Sequence, residues 1–316
     1  MLLQILSYGG QNVNTAAPAG AYDRAEGVMR LKFAIVGGDE RLVRLAVLLW
    51  RDGHRVTTYA LERAGLPAEI PKAGCIQGCV YGADCVVLPT PAETGGFLSA
   101  PLSTERLRGE ELVSALWQGQ RLFGGRLGDG LCLAALRQGL VVEDLLRRPD
   151  FAAGNAAITA EGALGLLMEN SPGTLWRSRA LVLGWGRIAK ILTLRLLGLG
   201  AQVGAAARRA EARVMASVLG AESFPFDELE SRIGGFDFIV NTVPARVLTD
   251  GALCAAAEDA LLLELASAPG GFDRTLAENL GLRVLAAPGL PGKCAPLRAA
   301  ELMREAIYAS LKEGEA

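Results

Sequence analysis

The clearest chemistry in this chain lies in a glycine-rich turn between two apolar runs. Within residues 179–209, residues 180–183 read as a buried parallel strand. Gly184-x-Gly186-x-x-Ala189 follows as a tight turn, and residues 188–197 carry helical periodicity. That order of strand, turn and helix predicts a dinucleotide ligand. Gly184 permits the turn, Gly186 lets a pyrophosphate approach the backbone, and Ala189 allows close helix–strand packing. Trp185, Arg187 and Ile188 complete the phosphate-facing set, since the first turn of the helix offers free N–H groups. The second strand, residues 201–207, ends in Arg208 and Arg209, where an NAD-binding chain places an acid on the ribose hydroxyls. A carboxylate would repel a 2′-phosphate, whereas a guanidinium pairs with it through two parallel hydrogen bonds. NADP is therefore the expected cofactor, with NAD as the alternative. A purely structural glycine turn and a pair of solvated arginines are the competing readings.

Further strands are expected over residues 236–240, 261–265 and 283–286. The loops after them should line the nicotinamide side, because ligands bind outside the carboxyl ends of a doubly wound sheet. This adds Asn241, Thr242, Val243 and Pro244, then Ala266 and Ser267, then Pro288 and Gly289 to the expected cofactor contacts. The cations in these loops are Arg187, Arg246, Lys293 and Arg298, a set that suits an anionic, carboxylate-bearing substrate. A helical segment over residues 155–170 is expected to bring Thr159 and Glu161 close to that substrate. Glu161 is the candidate base, against the plainer reading of a solvated helix residue. The single histidine, His54, sits in the turn Asp52-Gly53-His54, so its expected role is structural and a histidine acid/base is missing. Cys294 has nothing nearby in sequence to activate it as a nucleophile.

These residues need a framework to position them. The chain has 316 residues, half of them hydrophobic, with a net charge of −2. That length points to two α/β domains and the charge balance to no nucleic-acid partner. Six cysteines lack the paired spacing of zinc sites, so reduced thiols and no metal are expected. The longest apolar runs look too short to cross a bilayer, and no signal peptide is legible, which predicts a cytoplasmic protein. Residues 1–28 show neither strand nor helix period and read as a disordered leader. Residues 33–56 and 180–203 echo one another, with Gly37 falling on Gly184, Gly53 on Gly200 and Val56 on Val203. Two Rossmann-like, doubly wound halves with a cleft between them follow: residues 29–152 for substrate or interaction, 153–298 for NAD(P), and a C-terminal helix over 299–316. The first half carries Gly38-Asp39 in its turn, and that carboxylate should exclude a pyrophosphate. Between residues 95 and 130 no element is legible.

Several stretches carry a family resemblance in combination: Thr159-Ala160-Glu161-Gly162, Leu183-Gly184-Trp185-Gly186-Arg187, Asn241-Thr242-Val243-Pro244, Leu265-Ala266-Ser267-x-Pro269-Gly270-Gly271 and Ala287-Pro288-Gly289-Leu290-Pro291-Gly292-Lys293-x-Ala295-Pro296. Together they resemble the family of dipicolinate synthase A subunits, from about residue 31 to the C-terminus. Ala189 departs from the glycine often found at its position, and the leader falls outside the pattern. The resemblance implies oxidation of a dihydrodipicolinate-type intermediate to pyridine-2,6-dicarboxylate, with a nicotinamide cofactor as hydride acceptor. It also implies the flavoprotein-like B subunit of dipicolinate synthase as partner and a place in the mother cell during endospore formation, and it leaves a homo-oligomer open. On this reading Arg246 and Lys293 hold the carboxylates and Glu161 is the base. Two alternatives stay open: an NADPH-binding, non-catalytic scaffold or sensor for that partner, and an NADP-dependent dehydrogenase of another small carboxylate.

Overall fold

The computed structural model describes residues 30–314 apart from residue 172, so the expected leader over residues 1–28 lies outside the described residues. The chain divides between Leu146 and Arg147 into two compact units. The first runs through β1 (Lys32–Val36), α1 (Glu40–Arg51), β2 (Arg55–Tyr59), α2 (Ile76–Val80), β3 (Cys85–Val87), β4 (Glu93–Thr94), β5 (Phe97–Leu98), α3 (Gly109–Ala115), β6 (Arg121–Gly124), α4 (Asp129–Arg137) and β7 (Val141–Asp144). Its parallel sheet has the order β2-β1-β3-β6-β7, while β4 and β5 form a separate antiparallel pair. This is the flavodoxin-like winding.

The second unit begins with α5 (Pro149–Asn170) and continues through β8 (Arg179–Leu183), α6 (Arg187–Gly198), β9 (Gln202–Ala206), α7 (Ala210–Val218), β10 (Glu222–Phe224) and α8 (Leu229–Arg232). After these come β11 (Phe238–Asn241), α9 (Asp250–Cys254), β12 (Leu261–Glu264), α10 (Arg274–Asn279), β13 (Arg283–Ala286), α11 (Leu290–Cys294) and α12 (Pro296–Glu313). Its sheet order β10-β9-β8-β11-β12-β13 is the dinucleotide-binding winding, with the switch point between β8 and β11. Both expected doubly wound sheets are present.

Alternation along β8 explains why this sheet is covered on both faces. Ala180 and Val182 point to a core shared with Ala160, Ala163 and Leu167 of α5 and Leu192 and Leu196 of α6. Leu181 and Leu183 point to the opposite core with Ile239, Leu253 and Leu262. The internal echo holds in the elements themselves: β1, α1 and β2 correspond residue for residue with β8, α6 and β9. Gly37 and Gly184 both take a positive φ at the turn, and Gly53 and Gly200 do so after the helix.

Several boundaries differ from the sequence expectation. The boundary at residues 152/153 falls inside α5, because Pro149 occupies the first helical turn, where its fixed φ and missing N–H are tolerated. The final helix likewise starts at Pro296, not at residue 299. The stretch 95–130 holds β5, α3, β6 and the start of α4, pieces too short for a period to show. By length and composition α5 is apolar enough to cross a bilayer, contrary to the expectation from the longest apolar runs. Its small uncharged residues spread its hydropathy thinly, and half of it is buried within the protein.

Candidate functional site

The turn after β8 is shaped by what a side chain would meet there. Gly184 has φ +98°, and a Cβ on it would lie 2.7 Å from Thr242 Oγ1 and 2.8 Å from Val243 Cγ2. Only glycine fits. Gly186, the N-cap of α6, has φ −79° and open space where a side chain would stand. No side chain caps α6 and its first turn holds no acid, so its leading N–H groups are left for a ligand. Arg187 is exposed beside them, while Ile188 and Trp185 are part-buried against the core. Trp185 Nε1 is buried without a hydrogen-bond partner among the described residues.

The matching turn after β1 is closed by its own residues. Asp39 caps α1, accepting from Arg41 N at 3.0 Å, from Nε at 2.9 Å and from Nη2 at 2.8 Å. Arg41 is only 6% exposed and also donates to the carbonyl of Thr90. Gly38 N–H is taken by Ser99 O at 2.9 Å. A phosphate about 4 Å from Asp39 would meet repulsion on the order of 4 kcal/mol near a protein surface, and the helix dipole returns only about 1 kcal/mol. The paired Arg41 guanidinium cancels much of that repulsion, so what closes this turn to a phosphate is chiefly that Asp39 and Ser99 already take the N–H groups it would need.

At the end of β9, Arg208 and Arg209 are exposed, and Arg209 is the N-cap of α7. Sequence reasoning missed Arg213 one turn on. Its Nη1 donates to the carbonyls of Ala207 at 3.0 Å and Arg208 at 2.9 Å, so a third guanidinium braces the segment that carries the other two. The i+4 spacing from Arg209 along a helix is the signal that would have found it.

The loops after β11 and β12 require a correction. Asn241, expected as a cofactor contact, is fully buried. Its Nδ2 donates to Val243 O at 2.9 Å and Glu264 Oε1 at 2.7 Å, and its Oδ1 accepts from Val243 N at 3.0 Å. With both Nδ2 hydrogens engaged and its side chain fully buried, it shapes the loop and does not present itself to a ligand. Thr242 is similarly committed, its hydroxyl donating to Leu183 O at 2.7 Å. Val243 supplies backbone to the Asn241 turn, and Pro244 is exposed beyond it. Ala266 gives its N–H to Glu264 Oε1 at 2.8 Å, and Ser267 is part-buried. Pro288 and Gly289 are exposed after β13, Gly289 being the left-handed N-cap of α11.

The charged candidates separate. Glu161 and Lys293 line one cavity of about 550 Å³ together with Gly162, Leu166, Glu169 and Cys294. Glu161 also pairs with Arg195 of α6 at 2.9 Å, a partner not foreseen, and its side chain is 62% exposed. Arg246 pairs with Asp250 on the surface, so the expected substrate cation already has a carboxylate. Arg298 is not a loop cation. It lies on α12 and pairs with Glu301 at 3.0 Å and Glu305 at 3.5 Å. Thr159 is buried, its hydroxyl donating to Asn155 O at 2.7 Å within its own helix, so it is not turned toward a substrate as expected. Desolvation pushes the Cys294 thiol up, with the negative charge of Glu161 adding to it, which argues against a nucleophile. His54 is buried in the first unit, accepting from Leu31 N at 3.3 Å and lying against the ring of Phe33.

Residues 32–146 match the N-terminal domain of the dipicolinate synthase A subunit. The dipicolinate synthase A subunit of Bacillus subtilis is 28% identical over 290 residues, spanning 90% of this chain and 97% of its own length. The crystal structure of that protein from Bacillus subtilis matches with a TM-score of 0.78 at 28% identity, covering 90% and 97% of the two chains. The crystal structure of the A subunit from Bacillus halodurans gives 0.80 at 24% identity, covering 89% and 97%. A transhydrogenase from Sinorhizobium meliloti shares the fold alone, with a TM-score of 0.63 at 16% identity over 88% of this chain and 93% of its own. A match specific to the first unit, joined to likeness along both units, makes the chain similar to the dipicolinate synthase A subunits over nine-tenths of its length.

Proposed function

We propose that the second unit binds NADP(H) and that the chain oxidises a dihydrodipicolinate-type intermediate to pyridine-2,6-dicarboxylate. The observation that carries this reading is the difference between the two turns. The β8–α6 turn leaves its helix N-terminus uncapped beside Gly186, while Asp39 fills the equivalent place in the first unit. Arg208 and Arg209 favour a 2′-phosphate, and their freedom from ion pairs among the described residues leaves them available to it. A nicotinamide held there would supply the hydride acceptor for the dihydropyridine ring, which would also lose a proton, with aromatisation as the driving force. That driving force makes a histidine base dispensable. Lys293, exposed in the cavity it shares with Glu161, is the cation best placed for a substrate carboxylate, and Glu161 is the base candidate. The name of the Bacillus subtilis relative, one subunit of a synthase, supports a second subunit, read here as the flavoprotein-like B subunit, with both acting in the mother-cell cytoplasm during sporulation. Purified chain mixed with NADP⁺ and freshly generated precursor tests the reading: NADPH and dipicolinate should appear in equal amounts.

The scaffold reading draws on one observation of its own. Glu161 and Arg246 each already hold an ionic partner. A chain that binds NADPH yet forms dipicolinate under no condition, with or without the B subunit, would favour it.

A further inference from the structure

The last residue of β12 is a carboxylate, an unusual choice for the end of the otherwise apolar strand Leu261–Glu264. Glu264 accepts three hydrogen bonds: from Asn241 Nδ2 at 2.7 Å, from Ala266 N at 2.8 Å and from Gly271 N at 2.8 Å. Its backbone adds a fourth link, because its carbonyl accepts from Ala287 N at 2.9 Å at the end of β13. Across the sheet it stands in register with Asn241 on one side and Ala286 on the other. One residue thus ties the loops that leave β11, β12 and β13.

The surrounding residues are fitted to this joint. A Cβ on Gly271 would lie 2.2 Å from Asn241 Nδ2, and one on Gly270, whose φ is +88°, would lie 3.1 Å from Glu264 Oε2. The Gly271 carbonyl in turn accepts from Val247 N at 2.8 Å and Leu248 N at 3.0 Å, closing the far end of the β11 loop. Each bond to an ionised acceptor is stronger than a neutral one, and a carboxylate offers only acceptor sites, matching three donors without conflict.

We infer that Glu264 is a positioning residue: through Asn241 and Gly271 it holds the β11 and β12 loops at the spacing the nicotinamide half of the cofactor requires. This role rests on the nucleotide reading above. In that reading the pyrophosphate lies at the α6 N-terminus and the 2′-phosphate beyond β9, so the other half of the dinucleotide crosses the switch point toward β11 and β12. Glu264 does not touch the ligand. It fixes the walls that do, before the ligand arrives, which lowers the ordering cost of binding.

Glu264→Gln is nearly isosteric but turns one acceptor into a donor that faces the N–H groups it must hold. This variant is expected to bind 2′,5′-ADP, a fragment without nicotinamide, within about twofold of the wild type, while its NADPH dissociation constant rises about tenfold or more, since a lost bond to a charged group is worth at least that. Equal NADPH affinity in variant and wild type would overturn the positioning role. Should the variant not fold, hydrogen exchange on the wild type decides. The Ala266 and Gly271 amides should be protected without cofactor and change little when NADPH is added. Fast exchange of both in the cofactor-free chain would overturn it. A wild type that binds neither NADPH nor 2′,5′-ADP fails the nucleotide reading instead, and that result is distinct from either of these.

Discussion

Arg213 reaches back from α7 to the main chain of Arg208, donating from Nη1 to its carbonyl oxygen at 2.9 Å. The cationic end of β9 is therefore a braced group of three guanidiniums, two of them free to face a phosphate. Replacing Arg208 and Arg209 together with Gln is expected to weaken NADPH binding by about 10–100-fold, the worth of one or two charge-assisted bonds. NADH binding should change little. Titration of both nucleotides reads the ratio; an NADPH-to-NADH preference unchanged by the double substitution would remove these arginines from cofactor choice.

The two glycines of the turn should fail differently. Gly184→Ala forces a side chain into φ +98° and against Thr242 and Val243, so unfolding stability is expected to fall by about 1–3 kcal/mol. Gly186→Ala meets no neighbour, so its stability should match the wild type while its NADPH affinity drops. Denaturant melts paired with NADPH titrations separate the two effects. A Gly186→Ala chain that binds NADPH normally would place the pyrophosphate elsewhere.

Glu161 offers a direct test of the base assignment. Its ion pair with Arg195 is partly exposed and worth at most about 1 kcal/mol, so Glu161→Gln should leave the melting temperature nearly unchanged. As a base it would take about 100-fold or more from kcat. Lys293→Ala should instead raise KM for the dicarboxylate precursor with a smaller change in kcat. Unaltered steady-state kinetics in both variants would reduce the pair to surface residues.

Acid sensitivity should trace in part to His54. Burial, the largest cause, lowers its pKa from the ordinary value of 6.5, with Arg30 adding to the shift and Asp52 opposing it. The unfolded chain therefore binds the proton more readily than the folded one. The stability that this difference confers is present in full above pH 6.5 and is lost as pH falls through the lowered folded-state value. Replacing His54 with Gln should flatten the stability profile below pH 6.5 relative to the wild type. Parallel profiles for the two proteins, measured by denaturant unfolding across that range, would contradict it.

Much of the second unit was legible because its strands are continuous apolar runs and its turn glycines have few alternatives. The strand Arg283–Ala286 and the β8–α6 unit are found where the periodicity puts them. The start of α5 was not, since small residues give it little amphipathic contrast and only Pro149 marks it. In the site, the backbone-dependent residues Gly184 and Gly186 could be assigned from type and spacing alone. Asn241 and Arg298 could not, because whether a polar side chain faces a ligand or a neighbour depends on tertiary partners: Glu264 for the first, Glu301 and Glu305 for the second. Glu264 itself left only a faint trace, an acid closing an apolar strand.

If this chain carries out the oxidation on a cofactor bound at the β8–α6 turn, one experiment reads it directly. The rise of NADPH absorbance and of the dipicolinate ultraviolet band is followed after mixing the purified chain with NADP⁺ and freshly generated dihydrodipicolinate precursor, with and without the B subunit. Both signals are expected in equal molar amounts, and both should be lost in the Gly186→Ala variant. NADPH binding with neither signal under either condition would contradict the catalytic role.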